Sequence, residues 1–122
     1  MADSIEHFRP HTEFYTEELC HIVELHNTAS DAGCSIARAR VEPGVSTRLH
    51  SVRGTSERYV ILAGQGSVEV DGQAAVAVGP LAVVNIPAGV PQRITNTGTR
   101  DLVFLCICTP RFEMRNYLDL ET

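Results

Sequence analysis

The sequence predicts an all-β domain of sandwich or barrel type, and three observations carry that expectation. Short alternating or continuous apolar segments recur at close spacing. Clusters of glycine, proline, aspartate and asparagine separate them, and no stretch between has the length and period of a core helix. In chain order, strands are expected first at 21–25 (HIVEL) and 35–41 (SIARARV), the second alternating alanine with arginine. Pro43-Gly44 turns the chain into 46–50 (STRLH), and the turn VRGTS leads to 58–62 (RYVIL). Gly64-Gln65-Gly66 precedes 67–70 (SVEV). Asp71-Gly72 tolerates the positive φ of a type I′ turn and joins that strand to 74–78 (AAVAV). Gly79-Pro80, Pro87-Ala88-Gly89 and Asn96-Thr97-Gly98 then mark off 82–86 (AVVNI), 92–96 (QRITN) and 102–108 (LVFLCIC).

A chain of 122 residues is the size of one domain, 1–122, with a core over about 20–109. Residues 1–19 and 110–122 read as arms, polar but carrying Phe8, Phe14, Tyr15, Phe112 and Tyr117. Arms of this kind lie over a barrel or a neighbouring subunit. With 43% hydrophobic and 20% charged residues the composition is that of a chain that folds. A net charge of −5 repels phosphate backbones, which argues against a nucleic-acid partner. The longest apolar run, LVFLCIC, is far short of the roughly 20 residues a membrane span needs. The N-terminus has no apolar targeting core, so a cytoplasmic location is expected, with Cys20, Cys34, Cys106 and Cys108 as reduced thiols.

The chemistry concentrates around residues 47–66. Period-two alternation puts Arg48, His50 and Val52 on one face and Glu57, Tyr59 and Ile61 on a face of the next strand. The short turn between them brings His50 and Glu57 toward one interior, where a carboxylate is costly unless paired, hydrogen-bonded or metal-bound. Tyr59 and Arg48 flank the pair with the right parity. An inward Arg48 suits a carboxylate or phosphate, whereas a rim arginine is simply solvated.

The stretch from Gly44 to Gly64 resembles the first motif of the cupin superfamily, G-x5-H-x-H-x3,4-E-x6-G, with Gly44, His50, Glu57 and Gly64 on pattern. The segment PAGVPQRITN resembles the end of the second motif, P-x-G-x2-H-x3-N, through Pro87, Gly89 and Asn96. The resemblance implies a small single-domain cupin, an antiparallel jelly-roll barrel also described as a double-stranded β-helix. It also implies a small-molecule ligand, a homodimer joined through sheet edges and arms, and a metal held by three histidines and a glutamate.

This sequence departs from the pattern. Val52 and Gln92 stand where the second and third histidines would be, and Leu81-Ala82 replaces a Gly-Asp turn. The ligand set that carries over is His50 and Glu57, with the amide oxygen of Gln92 as a neutral third donor. On that basis the expected function is a divalent-metal-dependent enzyme acting on a small polar metabolite. The metal would be manganese, iron, zinc or nickel, and the class oxygenase, isomerase or lyase. Glu57 serves as general base if no metal is present. The alternative is a non-catalytic binding cupin in which His50, Glu57 and Gln92 form a metal-free polar pocket.

Cys106 and Cys108 share one strand face and are either pocket-wall residues, with the Cys106 thiolate as an added ligand, or small buried hydrophobes. Either Arg38 and Arg40 or Ala37 and Ala39 face inward. His21 and His26 fall on opposite strand faces and form no metal pair, while His7 and His11 are expected in solvent.

Overall fold

Two antiparallel sheets face one another in the computed structural model, which describes residues 4–121. The first sheet holds, in spatial order, β1 (Phe14–Tyr15), β2 (His21–His26), β3 (Ser35–Val41), β10 (Leu102–Thr109), β5 (Ser56–Ala63) and β8 (Val83–Ile86). The second holds β11 (Tyr117–Asp119), β4 (His50–Val52), β9 (Gln92–Asn96), β6 (Gly66–Val70) and β7 (Val76–Val78). The all-β expectation stands, and the architecture is a jelly-roll barrel.

Several boundaries differ from the sequence expectation. The strand expected at 46–50 forms instead at His50–Val52, because Thr47 and Arg48 bond as a loop, their N–H groups donating to the carbonyls of Ile94 and Glu18. Ala74 and Ala75 stay outside β7. Asp71 (φ 59°) and Gly72 (φ 69°) make the expected I′ turn, closed by Gln73 N–H to the Val70 carbonyl at 3.2 Å. β4 and β5 are not a hairpin: β4 pairs with β9 and β11, β5 with β10 and β8, so residues 53–55 carry the chain from one sheet to the other. Both arms contain strands, with Phe14 opposite Ile22 at one end and Tyr117 opposite Val52 at the other.

Register across the first sheet lines up three inward rows. Ile22, Ala39, Phe104 and Ile61 form the first; Glu24, Ala37, Cys106, Tyr59 and Val84 the second; Ser35, Cys108, Glu57 and Ile86 the third. The first row packs with Val41, Val68, Ile94 and Leu102 into a closed apolar core. The alanines of SIARARV therefore face inward. Arg38 and Arg40 face out, both gripping Glu13 at 2.6 Å. His21 and His26 each meet carboxylates, Glu42 at 2.9 Å and Asp31 at 2.7 Å, and His7 and His11 are exposed.

Asn96, 1% exposed, closes the core end, its Nδ2 donating to the carbonyls of Val41 and Arg100 and its Oδ1 accepting from Gly98 N–H. Gly64, at φ +90°, leaves no room for a Cβ, which would sit 2.7 Å from the Asp101 carbonyl oxygen. Leu81 occupies the left-handed region at φ 70° with its side chain 79% exposed, a conformation in which a Cβ costs energy and this one packs on little. Leu81→Gly should therefore stabilise the fold by about 1 kcal/mol in urea unfolding, the relief of Cβ strain exceeding the extra unfolded-state entropy.

Candidate functional site

The second and third inward rows open into a cavity of about 710 Å³ instead of a packed core. Its floor is the first sheet, through Ala37, Ser35, Cys106, Cys108 and Glu57. Its opposite wall is built by the terminal segments, Thr16 to Glu18 on one side and Phe112, Met114, Tyr117 and Asp119 on the other.

At the inner end a hydrogen-bonded chain crosses between the sheets. Glu57 Oε1 accepts from Gln92 Nε2 at 2.8 Å, and the Gln92 amide oxygen accepts from the Tyr59 hydroxyl. Gln92 and Tyr59 are 1% and 3% exposed, so this chain runs through dry interior behind the cavity wall. Glu57 Oε2 lies 3.8 Å from Cys108 Sγ. His50 stands opposite Gln92 in the β4–β9 pairing. Its Nδ1–H donates to the Arg48 carbonyl at 2.7 Å, which leaves Nε2 facing Glu18 Oε2 at 3.4 Å, with the ring stacked on Tyr117. His50 thus pairs with Glu18 and not, as the hairpin expectation had it, with Glu57.

The remaining expected site residues divide. Cys106 and Cys108 both line the cavity, whereas Arg48 does not, because its Nε is held by Asp119 at 3.0 Å. Tyr59 orients Gln92 from behind. Burial raises the Glu57 pKa above the usual carboxyl range, opposed by the Gln92 N–H and the nearby His50. Burial also drives the Tyr59 hydroxyl and the Cys106 and Cys108 thiols upward, with Glu57 adding to each, so all three are neutral at physiological pH. Cys106 is therefore a thiol in the metal-free protein.

Residues 37–108 match the profile of the cupin domain family. The chain belongs to the cupin family. No curated protein matches this sequence. Among solved structures, this cupin resembles KdgF from Halomonas sp. (TM-score 0.78, 14% identity, 91% of this chain and 96% of that one). It also resembles a predicted oxalate decarboxylase from Thermotoga maritima (TM-score 0.68, 29% identity, 75% and 80%). A third is Pac13, described as a nucleoside dehydratase (TM-score 0.78, 14% identity, 96% and 92%), a Streptomyces protein.

Cupins commonly bind a metal, and the donors of this one do not suit it. Among the described residues no three His, Cys, Asp or Glu side chains gather as a metal-holding group. The third expected donor, the Gln92 amide oxygen, is taken by the Tyr59 hydroxyl, and Val52 offers only methyl groups. Glu18, Glu24, Tyr117 and Asp119 also line the cavity and lie outside both cupin motifs. The alternation of YLDL was the one available signal, marking a short strand with Tyr117 and Asp119 on one face.

A raised folded-state pKa means that the native protein keeps a proton on Glu57 that the unfolded chain releases. Stability from this group is full below the unfolded carboxyl value and falls as pH rises toward the folded one. Glu57→Gln preserves the acceptor for Gln92 and removes that loss. Its urea midpoint should exceed the parent's at pH 8, with the gap closing near pH 4; a pH-independent offset would contradict the assignment.

Proposed function

We propose that this cupin binds a small organic molecule in its cavity and exchanges a proton with it through Glu57, without a resident metal. The observation that carries this is the Tyr59–Gln92–Glu57 chain. It fixes one carboxyl oxygen and leaves the other free of any N–H or O–H donor among the described residues, in a side chain that lines the cavity. A buried carboxyl with a raised pKa suits general acid or base work near neutral pH. Tyr59 and Gln92 act as positioning residues, holding the carboxyl plane and keeping solvent from its rear. The size and apolar walls of the cavity match those of pockets that enclose small ligands.

One carboxyl acting on a bound organic molecule fits isomerisation or elimination, in which a C–H proton leaves to a base and returns to carbon or to a departing oxygen. Pac13, described as a nucleoside dehydratase, is built on the same fold, and this chain reads as an enzyme of the proton-transfer type on its own residues. With a substrate in hand, Glu57→Gln should reduce kcat by roughly 10²–10⁴ and leave KM nearly unchanged. Tyr59→Phe should lower kcat less and shift its pH profile. Elemental analysis of untagged protein should find no stoichiometric divalent ion. A tightly held ion lost together with Glu57, and turnover abolished by chelator, would overturn the proposal.

The double substitution Val52→His and Gln92→His releases Tyr59 from the amide and adds two imidazoles beside His50 and Glu57. The variant should take up one equivalent of zinc or nickel in a titration in which the parent takes up none.

A further inference from the structure

The charged groups around the cavity are all of one sign. Glu17, Glu18, Glu24, Glu57 and Asp119 line it, and no arginine or histidine does. The chain contains no lysine, its ten basic residues being arginines, and six of these are held in ion pairs. Arg38 and Arg40 bind Glu13 on the outer face, Arg93 binds Glu69, and Arg111 and Arg115 bind Glu113. Arg48 is held by Asp119 at 3.0 Å, and Arg111, paired with Glu113, also acts on Glu24. Glu18 faces His50, Glu24 is relieved by Asn27 and by the charge of Arg111, and Glu17 has no ion-pair partner among the described residues.

Two further observations point to a ligand and not merely to a solvated acidic surface. The walls between the carboxyls are aromatic, with Phe14, Tyr15, Phe112 and Tyr117 around the cavity, and aromatic faces attract cations as carboxylates do. Glu57, 8% exposed, also presents a carboxyl oxygen toward this space with only a thiol beside it. The Tyr117 hydroxyl reports the same field, since burial, Glu18 and Asp119 together push its ionisation upward.

We infer that the cavity takes an organic cation, an amine or quaternary ammonium with an aromatic or aliphatic body, and rejects carboxylates and phosphates. This deepens the proposed function and rests on its premise that the cavity binds a small molecule. The cationic head is drawn to the carboxyls that line the cavity and the apolar body to its aromatic and apolar walls.

The test compares three probes of one shape on the full chain, 2-phenylethylamine, 2-phenylethanol and 3-phenylpropanoate, by calorimetry and by amide chemical shifts. The amine should bind at least about tenfold more tightly than the alcohol, the advantage shrinking as salt rises from about 0.05 to about 0.5 M, and the carboxylate should bind least. Shifts should map to β10 and β11. The double variant Glu17→Gln and Glu24→Gln, at exposed positions, should erase most of the amine's advantage and leave the alcohol unaffected. Alcohol binding at these strands with no gain for the amine, or tighter binding of the carboxylate, would overturn the inference and leave the small-molecule proposal standing. Failure of all three probes to bind in the cavity would overturn both.

Discussion

A carboxyl group placed between two packed sheets must be bonded, neutral or both, and the inner half of this barrel is arranged around meeting that condition at Glu57. A glutamine is suited to the task. Its amide presents an acceptor to the Tyr59 hydroxyl and a donor to Glu57 at the same time. A neutral imidazole also has one donor and one acceptor, but it loses the acceptor on protonation, which the amide never does. Valine at position 52 then follows from the same logic, because a second imidazole beside a saturated amide would be a buried polar group with nothing to bond. The two departures from the cupin motif act as one change, from a converging donor set to a linear hydrogen-bonded chain.

The barrel is divided along its length. Where Phe104, Ile61, Leu102 and Ile94 interdigitate, the sheets are closed. Where the inward residues shrink to Ala37, Ser35 and the two cysteines, they cannot fill the gap, and the cavity is the space left over. Its far wall comes from the terminal segments, held by the two-residue β1 and the three-residue β11. Elements so short carry few backbone bonds and open at low free-energy cost, so the cavity's far wall is the least stable part of the fold.

Much of this was legible in the sequence. SIARARV and QRITN formed as strands with the bounds their alternation and flanking turns gave, and Asp71-Gly72 turned as its φ tolerance required. The passage from β4 to β5 was not legible, since a tight turn with Gly54 serves a hairpin or a crossing between sheets equally well. The inward face of 35–41 was undecidable locally and is settled by Glu13, a residue far away in sequence that binds both arginines. At the site, the motif brought His50, Glu57 and Gln92 to one end of the barrel. The partner of His50 is Glu18 in the N-terminal segment, and strands of two or three residues leave too short a pattern to be read.

The arrangement of carboxyls follows a gradient of depth that reconciles an acidic cavity with a stable fold. Glu57, the deepest, is relieved by a raised pKa and the Gln92 amide. Glu18 and Asp119, with side chains 22% and 29% exposed, have His50 and Arg48. Glu24, which burial pushes above the usual carboxyl range, is relieved by Asn27 and the charge of Arg111, and Glu17, exposed, relies on water. Each carboxyl is thus neutralised by the means its depth allows, since water screens well only at the surface and a side-chain partner or a proton must serve inside. The uncompensated charge is left at the entrance, where it costs the fold least and still acts on whatever enters.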